Sequence, residues 1–175
     1  MGILSRSSRH RAKGGVLMFG DQRLPKRFWN KAIESEAGCW EWQAAIHRKG
    51  YGQFYSDGQM AQAHRVAYSA LVAPIDPERQ LDHICHNRKC VNPSHLNPVS
   101  NKQNAENREG ANVNSRSGIR GVLWDGRTSQ WFARVHHNGR SYYGPRTPDI
   151  SVAERCAIEL RNRLYSNNLA DRSAA

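Results

Sequence analysis

The stretch Leu81–Arg108, LDHICHNRKCVNPSHLNPVSNKQNAENR, decides the fold. Its 28 residues hold two sets of site chemistry. One is an adjacent carboxylate and imidazole, Asp82–His83, with Asn104 following 21 residues after His83. The other is Cys85, Cys90 and His95, with four residues between neighbours. Structural zinc takes soft thiolates and imidazole, whereas magnesium-like ions take hard oxygen donors. The two ligand types interleave without mixing, so this one segment can build both a closed zinc site and an open oxygen-donor site.

Local signals give the segment a shape. Gln80–Ile84 and Leu96–Val99 read as strands. Ser100-Asn101-Lys102-Gln103 fits the Ser-x-x-Gln capping box and starts a helix with Asn104 in its first turns. Two strands, a metal-pinned loop and a helix make a ββα unit. Three ligands leave a structural zinc one short. Cys39 is the only other cysteine outside the C-terminal helix. As the fourth ligand it would tie an upstream sheet to the ββα unit. Cys156 falls in an apolar helical stripe and reads as core.

Upstream, Leu24–Glu36 is expected to hold a short helix with Phe28, Trp29 and Ile33 on one side. Gly38–Trp42 (GCWEW) reads as a strand with Trp40 and Trp42 on one face and Cys39 on the other. Arg48 and Lys49 sit in a turn. Tyr51–Ser56 and Gln59–Gln62 read as a hairpin closed by Asp57-Gly58. The hairpin offers Gln53, Tyr55, Gln59 and Gln62, side chains able to read base edges in a major groove; an ordinary amphipathic hairpin accounts for the same residues. Ala63–Val72 reads as a helix opened by His64, expected to be structural, and Arg65, a candidate phosphate contact.

Downstream, EGANVNSRSG (109–118) reads as a linker. Ile119–Asp125, Gln130–His137 and Arg140–Gly144 read as strands, the last two joined by Asn138-Gly139, a type I′ turn signal. Ser151–Asn167 reads as a helix with the stripe Val152, Cys156, Leu160 and Leu164. The division is therefore a basic arm over 1–22, an α+β core over 23–110 and a sheet-and-helix domain over 111–175.

The formal net charge is +11 and the pI about 10.0, which points to a polyanionic partner. Residues 1–36 and 111–175 each carry a net +5, and the middle only +1. A nearly neutral centre between basic ends suits a chemical core held on DNA from both sides. No run approaches the ~18 apolar residues of a membrane span, and the N-terminus lacks a signal-peptide apolar core. An intracellular protein with no membrane partner is expected, and in a reducing compartment four cysteines argue for metal over disulfides.

Hydrolysis of a DNA phosphodiester calls for a base, a cation on the scissile phosphate and stabilisation of the leaving oxygen. Neutral His83 can take the water proton. The Asp82 carboxylate and Asn104 amide oxygen can hold one divalent cation, Mg or Mn, with positions left for water and phosphate. In a regular strand Asp82 and His83 point to opposite faces. Both then serve one phosphate only from two sides or across a bend.

Through His83, Cys85, Cys90, Asn92-Pro93, His95-Leu96 and Asn104, with Cys39 upstream, the stretch resembles the HNH endonuclease superfamily. Its zinc pattern is closest to the His-Cys box branch of homing endonucleases. With the CWEW and AHRVAY segments the resemblance covers about residues 24–110. It implies a zinc-stabilised ββα-metal nuclease core in which His83 is general base and Asn104, with Asp82, holds the catalytic cation. It also implies one structural Zn on Cys39, Cys85, Cys90 and His95. The second zinc of the His-Cys box enzymes has no cysteines left here. His95 falls where many HNH proteins have Asn. The C-terminal part resembles the plant ethylene-response-factor (APETALA-type) DNA-binding domain, a three-stranded sheet and one helix. That resemblance makes Arg120, Trp124, Arg134 and Arg140 candidate DNA contacts.

The reading that results is a phage-type homing endonuclease acting on double-stranded DNA in the cytoplasm of an infected bacterial host, with a homodimer left open. The rival is a non-catalytic, zinc-stabilised, sequence-specific DNA-binding regulator. A nonspecific toxin-like nuclease is weaker, because the C-terminal domain has no place in it.

Overall fold

The computed structural model describes residues 17–108 and 110–172, so most of the expected basic arm lies outside the described residues. The chain forms two compact units, residues 1–98 and 99–175.

The first unit begins with α1 (Lys26–Trp29), β1 (Ala32–Glu34) and β2 (Trp40–Trp42). The short helix expected within residues 24–36 is a single turn, ending at Trp29. Its continuation pairs with β2 as an antiparallel strand, Ile33 opposite Glu41. Ile33 is therefore 56% exposed, not on the apolar side of a helix. Trp40 and Trp42 do share a buried face. They close an edge-on aromatic cluster around Phe28, whose ring centroid lies 5.0 Å from Trp42 and 5.0 Å from Phe54. Such pairs add about 0.5–1.5 kcal/mol each beyond simple burial.

β3 (Gln53–Ser56) and β4 (Gln59–Gln62) form the expected hairpin. Asp57 and Gly58 both take positive φ, as a type I′ turn requires. Register places Gln53, Gln62, Tyr55 and Met60 on one face and Phe54 on the other, in the core. Gln59 pairs with Ser56 on the Phe54 face, apart from the other three polar residues. α2 (Ala63–Leu71) buries Ala63, Ala67 and Leu71 in the same core. β5 (Gln80–His83) pairs with β6 (Leu96–Val99), and a short 3-10 turn, Pro93–His95, enters β6.

The second unit opens with α3 (Asn101–Glu106). Its capping box is formed in both directions: Ser100 Oγ accepts from Gln103 N at 3.2 Å, and Gln103 Oε1 accepts from Ser100 N at 3.0 Å. β7 (Val122–Asp125), β8 (Gln130–His137) and β9 (Arg140–Tyr143) form an antiparallel sheet in that order, followed by α4 (Ile150–Leu164) and α5 (Leu169–Arg172). Val122, Ala133 and Val135 pack on Ala153, Ala157 and Leu160. The buried stripe of α4 is thus rotated from the expected one toward alanines. The small residues let the helix lie close: a Cβ on Gly144 would sit 3.0 Å from the Ala133 Cβ and 3.2 Å from that of Cys156. No helix of the described residues is long and apolar enough to cross a membrane.

Gly52 is the tightest point in the first core, since a Cβ there would meet the Trp42 ring at 2.6 Å. Gly52→Ala is expected to lower unfolding free energy by about 1–3 kcal/mol, the usual scale of overpacking. Urea denaturation followed by tryptophan fluorescence measures this, and an unchanged midpoint would show that the ring can move aside.

Candidate metal centre and active site

The loop between β5 and β6 is held to β2 by backbone bonds. Val91 N donates to Trp40 O at 2.8 Å and Trp42 N to Lys89 O at 2.9 Å, forming an isolated bridge of Glu41 with Cys90. Side chains reinforce the seam. Asn87 Nδ2 donates to Glu41 Oε1 at 2.9 Å, and Asn92 Nδ2 to Gly38 O at 2.8 Å. Asn92 also caps the turn that carries His95, accepting from Ser94 N. Pairing Cys90 opposite Glu41 brings Cys39 to the loop from 46 or more residues away in sequence.

The result is a four-residue cluster: Cys39, Cys85, Cys90 and His95 place one ligand atom each, all within 4.8 Å of one another. His95 Nδ1 lies 3.4 Å from Cys39 Sγ and 3.6 Å from Cys90 Sγ. A tetrahedral zinc with ~2.3 Å bonds to sulfur and ~2.0 Å to nitrogen has S···N edges of about 3.5 Å. The donor set and its spacing therefore fit a structural zinc ion. The hydrogen bond from Cys90 pulls the Cys85 thiol below its ordinary range and pushes Cys90 up, while burial pushes Cys39 up. A cation among them lets such crowded thiols lose their protons together.

His83 ends β5 on the buried side, 5% exposed, while Asp82 is half-buried on the opposite face. His83 Nε2 lies 3.0 Å from Cys90 O. A carbonyl only accepts, so Nε2 carries the proton and Nδ1 holds the lone pair. Burial pushes the His83 pKa down, keeping the ring neutral. The ring packs against two neighbours that were not predicted beside it, His64 at 4.9 Å and Tyr51 at 5.9 Å between centroids. The sequence signal was there, a His one residue inside a buried helix face, but only the packing of α2 against β5 gives it a neighbour. His64 Nδ1 is buried without a hydrogen-bond partner. Asn104 is exposed on α3.

The candidate DNA contacts divide into three groups. Arg48 and Lys49 are exposed in a turn braced by Arg88, which donates to Lys49 O at 3.0 Å. Gln53 and Arg65 are half-buried. Arg134 is exposed on the outer face of the second sheet, opposite Tyr143, and Arg140 is exposed where β9 begins. Trp124, by contrast, shares the face of Ala133, which packs on α4, and lies edge-on to Trp131 at 4.8 Å. Arg120 is half-buried, and its guanidinium is engaged with backbone carbonyls of Ala105, Glu106 and Arg108.

Two outcomes follow. Burial, then the neighbouring His83, pushes the His64 pKa to about 3 from an ordinary 6.5. Between those values the unfolded chain binds a proton that the folded chain does not. The stability contributed by neutral His64 is full above pH 6.5 and falls as pH drops toward 3. His64→Phe should therefore gain on the wild type below pH 6.5, by up to about 1.4 kcal/mol per pH unit. Urea denaturation across pH tests this, and parallel curves would mean the folded protein accepts the proton. For the cluster, metal analysis should find about one zinc per chain, and Cys90→Ser should unfold the first unit. A well-folded, zinc-free wild type would overturn the assignment.

The chain is 37% identical over 84 residues to "Protein 2.8" of Escherichia phage T7, covering 47% of this chain and 57% of that protein. It is 34% identical over 68 residues to "Protein 7.7" of the same phage, covering 39% and 52%. It thus spans little more than half the length of these relatives. No solved structure shows a significant match. The family model described as HNH endonuclease matches residues 61–106, the stretch that runs from the hairpin through α3 and contains Asp82, His83, Cys85, Cys90, His95 and Asn104.

Proposed function

We propose that this chain is an HNH-type DNA endonuclease of the homing class, acting on double-stranded DNA through a histidine base and one divalent cation. The observation that carries the reading is the hydrogen bond between His83 and Cys90 O, set inside the segment matched by the HNH family model. It fixes the tautomer and aims the basic nitrogen of a neutral imidazole away from the zinc loop. The same loop that the Cys/His cluster closes therefore orients the base.

In this reading His83 Nδ1 takes the proton of the attacking water. Asp82 and Asn104 are the ligands of the catalytic cation, and both are oxygen donors of the kind Mg or Mn takes. Such a cation, when bound, stabilises the charge that develops on the phosphate and on the leaving oxygen. Because Asp82 and His83 occupy opposite faces of β5, they address one phosphate from two sides. Cys39, Cys85, Cys90 and His95 hold a structural zinc and take no part in the chemistry. The sheet of the second unit, in the manner of an APETALA-type domain, docks on DNA through Arg134 and Arg140, while Arg48, Lys49, Gln53 and Arg65 contact it from the first unit. A double-strand cut would call on a second copy of the chain.

One observation favours the rival, a zinc-stabilised DNA-binding regulator: His83 is only 5% exposed, as a structural core histidine would be. Plasmid nicking separates the two. The wild type should nick supercoiled DNA with Mg²⁺ or Mn²⁺ and stop when the cation is chelated. His83→Ala should keep DNA affinity and lose about 10²-fold or more in rate. Near-normal nicking by His83→Ala, or none by the zinc-loaded wild type, would sink the nuclease reading, and linear product against open circles reports whether one or two strands are cut.

A further inference from the structure

We propose that Arg120 and Glu106 are positioning residues for Asn104: the second unit holds the helix that carries this residue, so DNA docking and cation binding share one framework. This rests on reading Asn104 as a ligand of the catalytic cation.

α3 has six residues. A helix that short is marginal alone, and its last carbonyls have no partner within it. Here they are met from elsewhere in the second unit. Arg120 donates to the carbonyls of Glu106, at 2.9 Å, of Ala105, at 3.3 Å, and of Arg108. Asn167 Nδ2 donates to Gln103 O at 3.1 Å. A cation at a helix C-terminus also complements the helix dipole.

The side chains of the same turn are anchored as firmly. Glu106 is 5% exposed. Its Oε2 accepts from Ser166 N and Oγ, each at 3.0 Å, and from Asn167 N at 3.3 Å. Its Oε1 faces His137 Nδ1 at 3.4 Å and Lys102 Nζ at 3.5 Å. Asn107, 2% exposed, accepts from Leu169 N at 2.7 Å and Ala170 N at 3.1 Å, capping α5. Asp171 of α5 takes two bonds from Arg161, at 2.5 and 2.8 Å, and Arg161 donates in turn to Arg120 O. The ring closes on itself: Arg120, α3, Asn107, α5, Asp171, Arg161 and back to Arg120.

Burying a carboxylate is costly, here the more so because Glu106 Oε1 has ion-pair contacts but no hydrogen bond, and a helix can be ended with a glycine at no such cost. The buried polar ring adds something the apolar core under the sheet does not supply, a single pose for the turn that follows Asn104. Gln103, Glu106 and Asn107 are tied down, and Asn104 between them is left exposed.

The test uses the full-length, zinc-loaded chain and two readouts. One is direct Mn²⁺ binding, followed by the electron-spin signal of free Mn²⁺; the other is the Mn²⁺ dependence of plasmid nicking. Arg120→Ala and Glu106→Gln should each weaken Mn²⁺ binding by about 10-fold or more, the usual effect of losing a group that orients a ligand. Half-maximal nicking should move to higher Mn²⁺ by a similar factor, and Arg120→Lys, which can still donate to a carbonyl, should recover part of the loss. Amide exchange over residues 101–107 should speed up in the two damaging variants. Glu106→Gln keeps the shape of the side chain and serves if Arg120→Ala fails to fold. Wild-type Mn²⁺ affinity in folded Glu106→Gln, beside a weakened Asn104→Ala, overturns the positioning role and leaves the reading of Asn104 intact. Wild-type Mn²⁺ affinity in Asn104→Ala overturns that reading itself.

Discussion

Between His83 and Leu96 the chain has few large apolar side chains, and of these Val91 reaches the core while Ile84 is exposed. The Cys39, Cys85, Cys90 and His95 cluster is where the separate pieces around that loop meet. It draws together β2, the loop and the turn into β6, alongside the Glu41–Cys90 bridge and the bond from Ile84 N to His95 O. Closed metal sites of this type contribute on the order of 10 kcal/mol or more to folding. That is comparable to the whole net stability of a small domain.

The same constraint reaches the proposed chemistry through one carbonyl. Cys90 contributes its sulfur to the cluster and its backbone oxygen to His83 Nε2. A ring nitrogen cannot be both a donor to that oxygen and a base, so the loop selects which nitrogen remains basic. Packing of Tyr51 and His64 on the ring completes the setting, since burial keeps both imidazoles neutral. In the proposed mechanism the Cys/His cluster and the base are thereby coupled with no shared ligand.

In the second unit the organising force is different. A small apolar core under the sheet coexists with a buried polar ring through Glu106, Asn107, Arg120, Arg161 and Asp171. The core specifies that α4 packs on β8. The ring specifies where α3 ends and how it is oriented. Hydrogen bonds have direction and hydrophobic burial has little, which is why a turn that must be placed accurately is built from polar groups.

Much of this was legible in the residues. The hairpin at Asp57-Gly58, the turn at Asn138-Gly139 and the capping box at Ser100 were readable because each depends on backbone chemistry within four residues. The Cys/His set was readable because few side chains serve as soft metal ligands, and Cys39 could be chosen by elimination. What the sequence did not show is every feature set by contacts far apart in the chain. The short helix after Leu24 formed but stopped at Trp29, and Ile33, expected on its apolar side, went to β1 because β2 offered its backbone a partner. Trp124 and Arg120 carried the composition of DNA contacts, yet register put the first on the helix side of the sheet, and the second was drawn to the open carbonyls of α3. By itself the sequence determined the local turns, the ligand types and the order of elements. Only the tertiary structure decided which face each side chain occupies and which charges are already engaged, because a buried polar group must find its partner wherever the fold places one.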